Sequence, residues 1–163
     1  MAVIVLALFA VFVGFILIAL MGRSPPAVLL EEGKGDGGAR PDFASLEDLE
    51  EAVRGLAEAQ GMTVDEVRKV SDDEFEILAS AGGGLGKGMV VFHCVWTEEP
   101  VGGDRVSALL GAVRGERALK GVFITTGYFT ADVHNIVEGP PVDLVNGEQL
   151  GKLLHEHGVS PAK

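Results

Sequence analysis

The stretch from Gly103 to Leu154 constrains the fold more than any other part of the chain. Its apolar residues Val106, Leu109, Leu110 and Val113 fall at i, i+3, i+4 and i+7, the spacing that lays one apolar stripe along a helix. Val122, Phe123 and Ile124 follow as an unbroken apolar run ending in Thr125, Thr126 and Gly127. A short run that is apolar on both pleat faces, arriving directly after an amphipathic helix, predicts a buried strand in a helix-covered sheet. Thr130 can cap a helix over 131–138, which Gly139, Pro140 and Pro141 stop. Val142–Val145 predicts another strand, and Asn146-Gly147 leads into a last helix over 148–157, closed by Gly158. Helix, strand, helix, strand, helix is the order of an α/β sandwich.

Upstream, Ser45 and Asp48 stand at capping-box spacing, and Leu46, Leu49, Val53 and Leu56 line one face of a helix that Gly61 ends. Glu47, Glu50, Glu51 and Glu58 lie off that stripe and read as a solvated acidic face. Thr63–Val70 is ambiguous: Val64, Val67 and Val70 suit a helix as well as an irregular strand. Phe75–Leu78 reads as a strand, Gly82–Gly88 as a hairpin connection, and Met89–Trp96 as a central strand, apolar on both faces apart from His93.

The amino terminus is of a different kind. Its first 22 residues carry no charged side chain, so the formal charge of -11 sits entirely after Gly22. Residues 2–21 are long enough, at about 1.5 Å per residue, to cross a hydrocarbon layer of about 30 Å. The lack of a basic start and the continuation of the run to Met21 favour an uncleaved anchor over a signal peptide. Arg23, Lys34 and Arg40 then bias the body towards the cytoplasm, which gives a single-pass membrane protein with a cytoplasmic domain. Residues 23–44, rich in Gly and Pro, read as a flexible tether; GKGDGG within it lacks the strand and the Gly-Lys-Ser/Thr ending of a phosphate loop. The expected organisation is therefore anchor 1–22, linker 23–44, domain 45–158 and tail 159–163. A lone cysteine, Cys94, excludes an internal disulfide and fits a reducing compartment.

The strings VSALLGAV, KGVFITTGYFT and VDLVNGEQLGKLL resemble the C-terminal half of the Mrr-type restriction endonuclease domain, a branch of the PD-(D/E)xK nuclease superfamily, and the resemblance extends over about residues 45–157. It implies a three-layer restriction-endonuclease-like fold, with a central mixed sheet flanked by helices. It also implies a bipartite site: an aspartate on one strand after a Gly-rich turn, and Gln-hydrophobic-Lys on the next. One or two Mg²⁺ ions would polarise the phosphate, and the lysine would stabilise the developing charge. Laid on this chain, Asp72 matches the turn aspartate and Glu76 the metal-binding one. His93, Cys94 and Val95 then take the places of the glutamine, the middle residue and the lysine. Glu76 keeps an oxygen donor and His93 a nitrogen donor, but Val95 has neither charge nor donor. Removing one preorganised stabiliser costs roughly 10²- to 10³-fold in rate, so impaired catalysis is expected. Lys87 stands eight positions from Val95, about 26 Å along a straight strand, too far to substitute.

An acidic chain of sequence pI 4.7 disfavours tight non-specific DNA binding. Any nucleic-acid footprint must be local, and Arg114, Arg117 and Lys120, with Arg105 earlier on the same helix, form the candidate cluster. Trp96 and Tyr128 could stack bases, though packing is the plainer role, and His134, His155 and His157 read as surface residues. Three functions follow. The first is a membrane-tethered, catalytically impaired module for DNA or a protein partner, including a second copy of itself, with no cofactor. The second is an active Mg²⁺-dependent endonuclease of defence type, with Glu76 on the metal. The third is a membrane scaffold with no nucleic-acid role.

Overall fold

The computed structural model describes residues 40–82, 88–136 and 141–160. Among them no helix is long and apolar enough to cross a membrane. The expected single-pass membrane location with a cytoplasmic domain is corrected accordingly: the transmembrane helix expected over residues 2–21 lies outside the described residues, as does Lys87.

Helix α1 (Leu46–Ala59) opens on Ser45, whose hydroxyl accepts from the Asp48 amide at 3.2 Å, and Leu46, Leu49, Val53 and Leu56 are all buried as the spacing requires. Strands β1 (Met62–Lys69), β2 (Glu74–Ala81) and β3 (Gly88–Val95) follow, then the two-residue β4 (Pro100–Val101) and helix α2 (Gly103–Gly115). Strands β5 (Lys120–Thr125) and β6 (Tyr128–Phe129), a single-turn α3 (Val133–Ile136), β7 (Val142–Val145) and α4 (Gly147–Glu156) complete the chain. Of the helix expected over 131–138, Val133–Ile136 is helical and 131–132 form a turn before it, while 137–140 lie outside the described residues. Asn146 caps α4 through a full capping box with Gln149, each side chain meeting the other's amide at 2.9 Å.

The main sheet has the order β1-β2-β3-β5-β7, antiparallel on the β1 side and parallel from β3 onward. Helix α2 makes the crossover from β3 to β5, as parallel neighbours require. Phe75, Ile77, Phe92, Cys94 and Ile124 project from one face into a core shared with Phe43, the α1 stripe, Leu150 and Leu154. Each such aromatic or aliphatic side chain contributes about 1.5–3 kcal/mol by leaving water. Phe43 is 5% exposed, so the packed body begins upstream of Ser45. The opposite face carries Glu74, Glu76, His93, Val95 and Phe123, and Val106, Leu109 and Val113 of α2 are buried. Gly121 in β5 lets α2 come close, since a Cβ there would lie 2.7 Å from Val113 Cγ2.

The ambiguous stretch resolves as an edge strand with a bulge. Val64 pairs with Ala79 but Glu66 pairs with Leu78, leaving Asp65 as the additional residue. That insertion is why Val64 and Val67, three apart, both pack against the core. Their helix-like spacing is the signature of a strand whose alternation is broken once.

Candidate active site

The β2–β3 pairing assembles the site. Glu76 lies opposite His93 and Glu74 opposite Val95, and positions two apart on a strand share a face, so all four side chains stand together. His93 is 3% exposed. Its Nδ1 lies 3.2 Å from Glu76 Oε1, and its Nε2 lies 3.6 Å from Glu74 Oε2, beyond hydrogen-bond length. The ring is held from the β5 side by Phe123, with centroids 4.9 Å apart. Val95 is fully buried, an apolar wall at the place where the family resemblance implies a lysine.

A cation nevertheless reaches this cluster. Arg105, from the first turn of α2, places Nη1 2.8 Å from Glu74 Oε1 and 3.5 Å from Asp73 Oδ2. This cation comes from a helix and not from β3, where the resemblance implies a lysine at the place of Val95. The Ser71 hydroxyl donates to Asp73 at 2.6 Å, and this bond, followed by the charge of Arg105, holds the Asp73 carboxyl below its ordinary range. Two signals in the sequence point to these partners. Glu74 is one pleat period from Glu76, and a basic residue in the first turn of a helix opposes the macrodipole unless a carboxylate elsewhere compensates it.

The other expected site residues lie apart. Arg114, Arg117 and Lys120 sit at the end of α2 and the start of β5, and Lys120 pairs in register with Val90, at the opposite end of the strands from Val95. Lys120 is ion-paired with Asp143. Arg117 has a left-handed backbone, φ 53°, and serves the turn that ends α2. Asp72 pairs with Lys69 at 3.0 Å instead of facing the cluster. Trp96 lies just beyond β3 and is 37% exposed, at the rim of a cleft of about 550 Å³ shared with Arg40, Phe43, Thr97 and Thr126. Tyr128 is 50% exposed. His155 and His157 are exposed at the end of α4. Cys94, on the apolar face, is fully buried, and desolvation pushes its thiol well above the usual range.

Mg²⁺ takes oxygen ligands in near-octahedral array. Here Glu76 is turned to an imidazole nitrogen and Glu74 gives one oxygen to a guanidinium. Among the described residues no three His, Cys, Asp or Glu side chains converge as a ligand set. The residues present do not fit Mg²⁺.

A mixed five-stranded sheet between helical layers, with carboxylates and an imidazole facing one another across the β2–β3 pair, defines a restriction-endonuclease-like α/β domain. The family model Mrr_cat, described as "Restriction endonuclease", matches residues 42–154, and the chain belongs to that family. Among solved structures it is similar to the DNA modification-dependent restriction endonuclease AspBHI, with 24% identity and TM-score 0.49, over 67% of this chain and 31% of that one. It is also similar to MspJI restriction endonuclease in complex with a 27-mer oligonucleotide, with 18% identity and TM-score 0.49, over 66% of this chain and 26% of that one. A third is EndoMS in apo form, with 13% identity and TM-score 0.46, over 65% of this chain and 47% of that one. The chain thus spans about a third or less of the first two proteins and under half of the third. No curated protein matches it.

Proposed function

We propose that the chain is a nuclease-derived module that contacts DNA and hydrolyses it poorly or not at all. The observation that carries this reading is Val95, fully buried opposite Glu74 at the position where the family resemblance calls for a lysine. An aliphatic side chain can neither stabilise charge on a phosphate nor orient water, and the loss of one such group costs roughly 10²- to 10³-fold. Arg105 and His93 add to it by engaging the carboxylates that a hard cation would need. Membership of a restriction endonuclease family supports DNA as the partner, and Arg114 and Arg117, both exposed, are the basic pair proposed to meet phosphate. With a net charge of -11 the contact is weak and steeply salt-dependent.

Incubating the full chain with plasmid DNA and Mg²⁺, alongside binding measured across a salt series, tests this reading. Retardation of DNA that Arg114→Glu with Arg117→Glu removes, without cleavage, is the expected result; Mg²⁺-dependent cleavage abolished by Glu76→Ala would overturn it. One observation favours a second reading, an active endonuclease in which Arg105 supplies the missing cation, because its guanidinium lies beside Glu74, the cross-strand neighbour of Val95. In that case Arg105→Ala removes cleavage.

A further inference from the structure

Just past the carboxyl ends of the parallel strands β3 and β5 lies the cleft that Trp96 borders. Its volume of about 550 Å³ falls in the range of roughly 300–1,000 Å³ usual for small-ligand sites. The walls are fixed by backbone bonds. The Trp96 amide donates to the Asp73 carbonyl at 2.9 Å, and Thr97 is tied to the Thr126 hydroxyl twice, its amide donating and its carbonyl accepting at 2.8 Å. The Glu99 amide donates to Thr97 Oγ1 at 3.0 Å, which holds the segment around Glu98. Gly127 admits this segment, since a Cβ there would lie 2.9 Å from the Thr97 carbonyl oxygen and 2.8 Å from that of Glu99. Buried Phe43 adds an apolar wall, and Trp96, 37% exposed, offers an aromatic face.

We infer that this cleft binds a guanine base. The π-face of a base stacks on the indole of Trp96, a contact every base can make and one that carries no selectivity. Selectivity comes from the charged lining, Arg40, Asp42 and Glu98. Two carboxylates against one guanidinium repel a phosphate or carboxylate ligand and favour a neutral group rich in N–H donors. Guanine carries N1–H beside its amino group, two parallel donors that match the two oxygens of one carboxylate. Adenine and cytosine set a ring acceptor next to the amine, which a carboxylate repels, and thymine offers a single N–H. On its other edge guanine presents O6 and N7, the pair that an arginine fork reads. Arg40 commits one N–H to the Thr126 carbonyl, at 3.0 Å, out of the five such donors a guanidinium carries. The base arrives either as a free nucleoside or as an unpaired base of a strand lying over the neighbouring polar cluster, since Trp96 directly follows Val95, the partner of Glu74.

Trp96 is the only tryptophan, so its fluorescence reports on the cleft directly. The full chain is titrated with deoxyguanosine and, separately, with thymidine. The expected result is a saturable change with deoxyguanosine that Asp42→Asn with Glu98→Gln weakens about 10- to 100-fold, the worth of hydrogen bonds to charged acceptors. Glu47→Gln, on α1, leaves it unchanged. Asp42 and Glu98 are both exposed, so their amide variants keep the fold. A second arm uses a single-stranded oligothymidylate with one central deoxyguanosine. Saturation tighter than by the nucleoside assigns the base to a nucleic-acid strand, and equal or weaker saturation assigns it to the free nucleoside. A linear, collisional response to deoxyguanosine, an equal response to thymidine, or a response that the double variant leaves intact overturns the inference. The nucleoside titration contains neither duplex nor Mg²⁺, so its outcome is separate from whether the chain binds or cuts DNA.

Discussion

His93 and Cys94 are adjacent in sequence and live in opposite surroundings, because successive side chains on β3 point to opposite faces. His93 meets carboxylates; Cys94 is packed among apolar side chains and its thiol is driven up, first by desolvation and then by Glu50 and Glu76. The nucleophile is the thiolate, so Cys94 is expected to stay unlabelled by a thiol reagent at neutral pH in the native chain. It should react only as denaturant unfolds the domain; stoichiometric labelling of folded protein would contradict its burial. At this scale the sequence was legible as far as one strand pair reaches. The offset between Glu76 and His93 follows from strand pairing, and the structure places them opposite each other. Arg105 was legible only as an unfavourably placed first-turn cation, because which carboxylate compensates it is set by how α2 crosses the sheet.

Among the elements, long and strongly patterned segments were readable and short ones were not. The stripe of α1 and the apolar runs of β3 and β5 carry their own periodicity. The two-residue strands β4 and β6 have none, and exist because backbone groups at Val101 and Phe129 find each other in tertiary contact. The same limit made β1 ambiguous, since its bulge writes a spacing of three into a strand. The end of α2 offers a quantitative check. Arg117 occupies the left-handed conformation that costs an L-residue about 1–2 kcal/mol, while glycine gives back about 0.5–1 kcal/mol in unfolded-chain entropy. Arg117→Gly is therefore expected to stabilise the domain by about 0.5–1 kcal/mol, read as a raised midpoint in urea, despite removing a surface charge.

For the molecule as a whole, acid is the informative perturbation. Asp73 and Asp132 both have carboxyls held below the ordinary range. The first is held chiefly by Ser71 with help from Arg105, the second by the Thr130 hydroxyl and by backbone amides that include Gly103 at the start of α2. A group whose folded value is depressed adds stability that is complete above its unfolded value and disappears as pH falls through the folded one. The melting temperature is thus expected to hold near neutral pH and to fall as pH drops below about 4, the free aspartate range. Asp132→Asn should flatten part of that descent; an unchanged acid profile would remove Asp132 from the balance.

The same pairing that assembles the polar cluster also fixes how β2 and β3 zip together. Were the hairpin to slide by a single residue while folding, Glu74 and Glu76 would be thrust among the side chains under α1, and Phe75 and Ile77 would be stranded beneath α2. Charge placed at the heart of the sheet thereby acts as a proofreader of alignment, penalising every mispaired hairpin before the helices can close over it.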